Sequence, residues 1–326
     1  MLVLTRAEVE ELLDIDRLVD ALSGAMADLS AGIASIPNRI SAEVADHDGF
    51  LAAMPAFVPS SEALAAKLVS LFPHNRDRPT HQAMIACFDP SDGTPIAVMD
   101  GEFVTAARTA AGSALATRLL ARADATVLAV LGTGVQARSH ARAIPRVRPI
   151  DTLRIAGRSA EKAERLALDL AAQLDLKVEP ADDYASALDG ADIVCATTHS
   201  PDPVVRREWL AHGVHINSVG YNTEGREVDA DTVADALVVV ESRASALAPP
   251  PSGTNDLLWP IRDGLITADH VHAEIGELVG GSKPGRTSAD QITLYKSVGV
   301  AAQDAAAASL VLEAARRRGV GTEIPN

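Results

Sequence analysis

Residues 125–140 constrain the fold more than any other stretch of this chain. Val127 to Leu131 is a short, nearly continuous apolar run, the pattern of a strand buried on both faces. It leads straight into Gly132-Thr133-Gly134-Val135-Gln136-Ala137, the G-x-G-x-x-A spacing of a dinucleotide-binding turn. Each small residue has a physical task. Gly132 permits the tight turn, Gly134 lets the backbone approach a pyrophosphate, and Ala137 lets the next helix pack close to the strand. That helix aims its free N–H groups and positive dipole end at phosphates. The spacing alone is a weak signal, and an ordinary glycine-rich turn is the bland alternative. A strand before it and a helix after it supply the context that gives it meaning. Gly132, Thr133, Gly134, Val135 and Gln136 are therefore expected to hold a dinucleotide, joined by Thr197, Val219 and Gly220 at the ends of later strands.

The second strand of the fingerprint reads Leu153-Arg154-Ile155-Ala156-Gly157-Arg158-Ser159. Sites that prefer NAD usually end this strand with an acid that accepts from the ribose 2′-OH. Arg158 and Ser159 stand there instead, a cation and a hydroxyl suited to a 2′-phosphate. The expectation is NADP(H) in preference to NAD(H). A solvated loop arginine is the competing reading of Arg158.

With 326 residues the chain is long enough for two domains, and 47% hydrophobic with 22% charged residues is a globular profile. No apolar run approaches the ~18 residues that span a bilayer. The first twenty positions carry Glu8, Glu10, Glu11, Asp14 and Asp16, which is no signal peptide. Cys87 and Cys195 each sit in an apolar run and read as buried free thiols, which points to the cytoplasm. A net charge of −15 with no basic face argues against nucleic acid. It also means that local arginines must hold any anionic substrate.

Residues 5–31 read as one or two helices: Thr5 can cap, and Val9, Leu12, Leu13, Ile15, Leu18 and Leu22 recur at helical spacing. Strand-like runs follow at 49–58, 64–72, 82–88 and 94–99, joined by short turns, so an antiparallel sheet is expected. Residues 103–122 read as a helix. Strands and helices then alternate: helices at 134–143 and 160–174, strands at 153–157, 176–178, 193–197, 214–219 and 237–240. That alternation means a parallel, doubly wound sheet. Residues 249–253 read as a loop, and 298–318 as a long helix that re-enters the first domain because the parallel sheet is already complete. The fold class is α/β: a Rossmann-type doubly wound domain over 123–298, plus an α+β substrate-binding and dimerisation domain over 1–122 and 299–326.

Three cations could carry chemistry. Lys67 shares a strand face with Ala65, Val69 and Leu71, where a lone ammonium is costly unless paired. Burial pulls a lysine pKa down and suits it to proton transfer, while an edge-strand lysine would simply reach water; both readings stand. Arg108 lies near the start of a helix, the unfavourable dipole end for a cation, on a stripe with Gly112, Leu115 and Leu119. A bound carboxylate would relieve that, and arginine grips carboxylates bidentately. Arg39, after Ile36-Pro37-Asn38, reads as a solvated loop cation or a second carboxylate donor. The pairs His212/His215 and His270/His272 lack a third ligand, so no metal is expected.

The chain resembles the ornithine cyclodeaminase/mu-crystallin family over nearly its whole length. The segments that carry the resemblance are Met54-Pro55-Ala56, Lys67-Leu68-Val69, His81-Gln82-Ala83, Asp89-Pro90-Ser91-Asp92-Gly93-Thr94 and Ala97-Val98-Met99-Asp100-Gly101. Thr105-Ala106-Ala107-Arg108-Thr109-Ala110-Ala111, the turn at 132–137 and Tyr295-Lys296-Ser297-Val298-Gly299 complete the series. The match looks nearer to the mu-crystallin-like ketimine reductases than to true cyclodeaminases. The resemblance implies a homodimer formed through the first domain, with substrate between that domain and the nicotinamide. It puts the carboxylate-binding arginines at Arg39 and Arg108 and the active-site lysine at Lys67. One departure stands out. Asn222 occupies the position of the cyclodeaminase aspartate in Val219-Gly220-Tyr221-Asn222-Thr223-Glu224, and an amide cannot take up a proton. Glu224 is a possible substitute.

These readings converge on an NADP(H)-dependent reductase of imines of 2-oxo acids, such as pyrroline- or piperideine-2-carboxylate. Arg39 and Arg108 would hold the carboxylate, Lys67 would donate the proton or orient a water, and Asn222 would stand in the site. The alternatives are an NAD-retaining cyclodeaminase of ornithine or lysine, an NADP-dependent amino-acid dehydrogenase, and a dinucleotide-binding protein without turnover.

Overall fold

Thr5 opens the helical start of the chain with a reciprocal cap: its side chain accepts from the Glu8 N–H, and the Glu8 carboxylate accepts from the Thr5 N–H at 2.7 Å. The computed structural model describes residues 1–249 and 252–325. Strand β1 (Leu2–Leu4) precedes α1 (Arg6–Leu12) and α2 (Ile15–Ser30), the latter capped by Asp14. Leu18, Val19, Leu22 and Met26 give α2 its buried face. Strands β2 (Ile40–Val44), β3 (Gly49–Val58), β4 (Ala63–Leu71), β5 (His81–Phe88) and β6 (Pro95–Asp100) follow, then α3 (Gly101–Leu120).

The alternating part runs β7 (Val127–Leu131), α4 (Val135–Ala143), β8 (Thr152–Ala156), α5 (Ala160–Ala171), β9 (Lys177–Pro180), α6 (Tyr184–Leu188) and β10 (Ile193–Ala196). It continues as β11 (His215–Ser218), α7 (Ala230–Asp235), β12 (Leu237–Val240), α8 (Arg243–Ala246), α9 (Asn255–Arg262), β13 (Val271–Glu274), α10 (Ile275–Val279) and β14 (Thr293–Lys296). The chain ends with α11 (Ala301–Arg318) and β15 (Thr322–Glu323). The expected loop at 249–253 includes Pro250 and Pro251, which lie outside the described residues.

The chain forms two compact units, Met1–Arg108 with Gly299–Asn326, and Thr109–Val298. The first boundary therefore falls at Arg108, inside α3, where the sequence reading put it at 122.

In the first unit the sheet order is β15-β1-β6-β5-β4-β3-β2. The meander β2 to β6 is antiparallel as expected, but the sheet is mixed: β1 pairs parallel with β6 and antiparallel with β15. Three-residue β1 is too short to show a strand period, and β2 is exposed along its length, so neither has a hydrophobic alternation to read. Helix α11 packs on β3, β4 and α2. Its alanines allow that close approach, and Val311 and Leu312 are buried with Met54, Val58, Ile85 and Met99.

In the second unit all strands are parallel, in the order β13-β12-β14-β11-β10-β7-β8-β9. After β9 the chain crosses back beyond β7 to β10, so the sheet direction reverses at β7, the topological switch point where open α/β sheets bind ligands. The sheet is indeed complete before residue 298, but the sequence reading names no strand after 237–240. β13 and β14 come later, and β14 inserts between β11 and β12. Thr293–Lys296 is wholly buried, yet its threonine and lysine hide the apolar run that would announce an inner strand. The core of this unit gathers Leu131, Val194, Ile216, Val238, Leu257 and Leu294.

Candidate active site

Strand β4 lies inside its sheet, between β3 and β5, with Lys67 paired to Met54 on one side and Ile85 on the other. The edge-strand reading of this lysine therefore fails. Lys67 is 4% exposed and points toward the helix-covered face. Its Nζ lies 2.8 Å from Oδ2 of Asp304, in the first turn of α11. The other oxygen of Asp304 accepts from Nε of Arg108 at 3.1 Å. Nη1 of Arg108 donates to Oε1 of Gln303 at 2.9 Å, and neither bond uses Nη2. Gln303 Nε2 is buried with no partner among the described residues, a second donor of the same cluster. Gly299 lies against the guanidinium with φ +74°, a conformation that favours glycine.

The electrostatics follow from burial. Desolvation pulls Lys67 down to about 8; Arg108 and Arg39 add to the fall, and Asp304 opposes it. Arg39 is thus near enough for its charge to bear on Lys67. Burial alone would push the Asp304 carboxyl up, but Lys67 and Arg108 together hold it below the usual carboxylate range. The first unit therefore brings Arg39, Lys67 and Arg108 together. The anion shared by Lys67 and Arg108, Asp304, was missed in the sequence. The signal was there: Gln303-Asp304 is a lone polar pair in the run Ala301-Ala302-Gln303-Asp304-Ala305-Ala306, and a buried acid needs partners.

In the second unit the glycine-rich turn has the expected build. Gly132 has φ +120°, and a Cβ there would stand 2.6 Å from Oγ1 of Thr197, which itself donates to the Leu131 carbonyl at 2.8 Å. Around Gly134 a Cβ would meet nothing within 4 Å. Gly134 is the N-cap of α4 and offers no side-chain cap, so the first N–H groups of that helix are left for a ligand. Oε1 of Gln136 is buried without a partner among the described residues. This cradle fits a dinucleotide pyrophosphate. Thr133 packs its methyl toward Gly157, where a Cβ would be 2.8 Å away. Val135 is exposed.

The turn after β11 is held by a buried charge network that sequence reasoning also missed. Glu227 accepts from the Gly220 N–H and Ser218 Oγ, both at 2.9 Å, and from the Thr198 N–H at 2.6 Å. Lys296 Nζ donates to the Gly220 carbonyl at 2.7 Å and pairs with Asp256 at 3.0 Å. Burial pushes Glu227 up; Lys296 pulls it back, and Asp256 adds to the rise. Val219 N–H donates to Ala196 O at 3.0 Å, which ties the turn to β10. Asn222 spends both ends of its amide locally: Nδ2 donates to His199 O and Oδ1 accepts from the Glu224 N–H, each at 2.8 Å. Glu224 itself is exposed. His215 is buried, while His270 and His272 donate to backbone carbonyls of Val233 and Pro284.

Comparison with known proteins gives this geometry its context. The chain is 36% identical over 331 residues to the Delta(1)-pyrroline-2-carboxylate reductase of Bacillus cereus, with 99% of each chain covered. It is 37% identical over 302 residues to the mouse ketimine reductase mu-crystallin, with 91% of each covered. Among solved structures, the Thermococcus litoralis Delta(1)-pyrroline-2-carboxylate reductase in complex with NADH and L-proline superposes with a TM-score of 0.94 at 37% identity, covering 99% of this chain and 100% of that one. An archaeal alanine dehydrogenase dimer with bound NAD reaches 0.92 at 31% identity, covering 100% and 99%.

Two expectations are corrected. The nearer kinship is with the pyrroline-2-carboxylate reductases, which match end to end, and not with mu-crystallin. The preference for NADP(H) is also overturned, because those solved relatives hold NADH and NAD. The structure supplies a reason: the Ser159 hydroxyl caps α5, accepting from the Lys162 N–H at 3.3 Å, and Arg158 is exposed. Ser159 thus has a role that needs no 2′-phosphate. A model of the ornithine cyclodeaminase/mu-crystallin family matches residues 1–319, and the chain belongs to that family.

Proposed function

We propose that this protein is an NAD(H)-dependent reductase that converts a cyclic ketimine carboxylate, Δ1-pyrroline-2-carboxylate, into the corresponding amino acid, proline. The chain is an oxidoreductase of C=N bonds. The observation that carries the substrate reading is the buried trio Lys67–Asp304–Arg108. Two cations share one carboxylate, so one positive charge is left over inside the protein. A substrate carboxylate neutralises that excess. Arg108, held through Nε and Nη1, presents Nη2 to it, with Gln303 Nε2 and Arg39 as further donors.

Reduced nicotinamide, when bound, supplies the hydride to the imine carbon. Gly132 to Gln136, Thr197, Val219 and Gly220 are the residues proposed to hold the dinucleotide. Lys67 gives its proton to the imine nitrogen, so C=N becomes CH–NH and the neutral lysine is recharged from solvent. An ammonium held near pKa 8 suits this task, because it is charged at neutral pH yet gives up its proton readily. Asn222 serves as a loop staple, and no carboxylate replaces it at that position. This supports imine reduction over amine oxidation.

The dimer belongs to the same proposal. The outer face of the first unit's sheet carries Ile40, Leu51, Phe57, Leu68, Met84 and Phe88, and Ile40, Leu51 and Met84 are 70%, 48% and 43% exposed. A continuous apolar sheet face of this kind calls for a partner surface. A cytoplasmic location is supported by Cys87 and Cys195, both buried free thiols. None of the described helices is long and apolar enough to cross a membrane.

The test is to follow NADH loss with Δ1-pyrroline-2-carboxylate and identify the product, with ornithine plus NAD in parallel. Formation of proline from the imine supports the reading. Ammonia release from ornithine, with the imine untouched, overturns it.

A further inference from the structure

We propose that Asp304 is the positioning residue of this site: its carboxylate holds the Lys67 ammonium and the Arg108 guanidinium as one rigid pair of donors and favours the charged form of Lys67 until its proton is given up. This rests on the reading of Lys67 as proton donor. The first argument is geometric. Lys67 comes from β4, Arg108 from α3 and Asp304 from α11, so three elements meet on one carboxylate, with contacts of 2.8 and 3.1 Å. The Asp304 side chain is 2% exposed, and water does not screen these contacts. Gln303, one residue earlier, takes Nη1 of the same guanidinium. A single helical turn therefore orients the arginine at two of its nitrogens. The rest of that turn is alanine, which offers no competing polar group.

The second argument is the balance of charge around Lys67. Burial favours its neutral form, and Arg108 from α3 and Arg39 from the segment before β2 push the same way. Flanking β3 has no charged residue, and β5 has only His81, at its far end opposite Leu71. On α3, Glu102 is engaged with Arg6. On α11, Glu313 and Arg316 to Arg318 come more than two turns after Asp304. Asp304 is the anion that faces the ammonium. Without it, burial, Arg108 and Arg39 would all favour the neutral form of the lysine.

The experiment compares the intact protein with Asp304→Asn, Asp304→Glu and Lys67→Met. The pH dependence of kcat is measured with NADH and Δ1-pyrroline-2-carboxylate. In parallel, lysine titration is followed by NMR of protein labelled at its five lysines, Lys67 being identified by its loss in Lys67→Met. Asp304→Asn is expected to move the alkaline limb of kcat and the Lys67 titration together, downward by about one unit or more. Asp304→Glu keeps the charge but displaces it by a methylene. It should leave the limb in place and lower kcat/KM by about tenfold or more. A uniform loss across pH in Asp304→Asn, with the Lys67 titration unmoved, overturns the proposal. Should the asparagine variant fail to fold, Asp304→Glu decides: wild-type kcat/KM there overturns the positioning role. If Lys67→Met turns over normally while Asp304→Asn still shifts the lysine, the hold of Asp304 on Lys67 stands and the proton-donor reading is what fails.

Discussion

The guanidinium of Arg108 fills the space that a side chain on Gly299 would need: a Cβ there would stand 2.9 Å from Nη1 and 3.0 Å from Nη2. Gly299 also has φ +74°, a left-handed conformation that costs a non-glycine residue about 1–2 kcal/mol. Gly299→Ala is therefore expected to destabilise the fold by about that much and to displace Arg108. Steady-state kinetics should show kcat/KM for the imine falling by about tenfold or more. NADH affinity, measured by fluorescence titration, should hold. An alanine variant with normal kcat/KM would show that the position of Arg108 does not matter.

Lys296 is wholly buried, and its charge favours the ionised form of two buried carboxylates, Glu227 and Asp256, around the turn after β11. Lys296→Met leaves Glu227 and Asp256 facing each other with no cation. The expected loss of stability in denaturant unfolding is about 3–5 kcal/mol. A loss below about 1 kcal/mol would mean that one carboxylate protonates at little cost.

Acid should weaken the second unit through two histidines. Burial holds His140 down to about 4 and His215 to about 3. Nδ1 of His140 donates to Gln136 O at 2.7 Å, and Nε2 of His215 to Asn217 Oδ1 at 3.3 Å; desolvation outweighs both bonds and favours the neutral rings. Their unfolded counterparts take up protons near 6.5. The stability they contribute is complete above that pH and is lost as pH falls toward the folded values. Between pH 6 and 5 the slope should approach about 1.4 kcal/mol per unit for each ring. His215→Gln should remove roughly half of that slope. An unchanged slope in the variant would show that other groups cause the acid loss.

Much of the dinucleotide unit was legible because its parts are local. Val127–Leu131, the glycine-rich turn and α4 are contiguous, and their periodicities and small residues report directly on backbone needs. The strands that escaped, β1, β2, β13, β14 and β15, are short, exposed or polar, so hydrophobic alternation could not mark them. The cations of the site were readable one at a time, each as an awkward charge in an apolar setting. Their common partner was not, since Asp304 lies 237 residues from Lys67 and 196 from Arg108, and only the folded sheet and helices join them. Arg158 and Ser159 misled for the opposite reason. A local motif suggested a ligand contact, while the hydroxyl was already committed to capping α5.

Cofactor choice follows from that correction. NADH should bind more tightly than NADPH in fluorescence titrations of the ligand-free protein. Tighter binding of NADPH would restore a phosphate-binding role to Arg158.

The most direct test of the central claim, that the buried cations recognise the carboxylate of a cyclic imine, compares two substrates in two proteins. kcat/KM is measured with Δ1-pyrroline-2-carboxylate and with Δ1-pyrroline, which lacks the carboxylate, for the intact protein and for Arg108→Ala. The account predicts that the intact protein prefers the carboxylate by a factor corresponding to about 2–5 kcal/mol. Most of that preference should vanish in Arg108→Ala. Retention of the full preference in Arg108→Ala would contradict it.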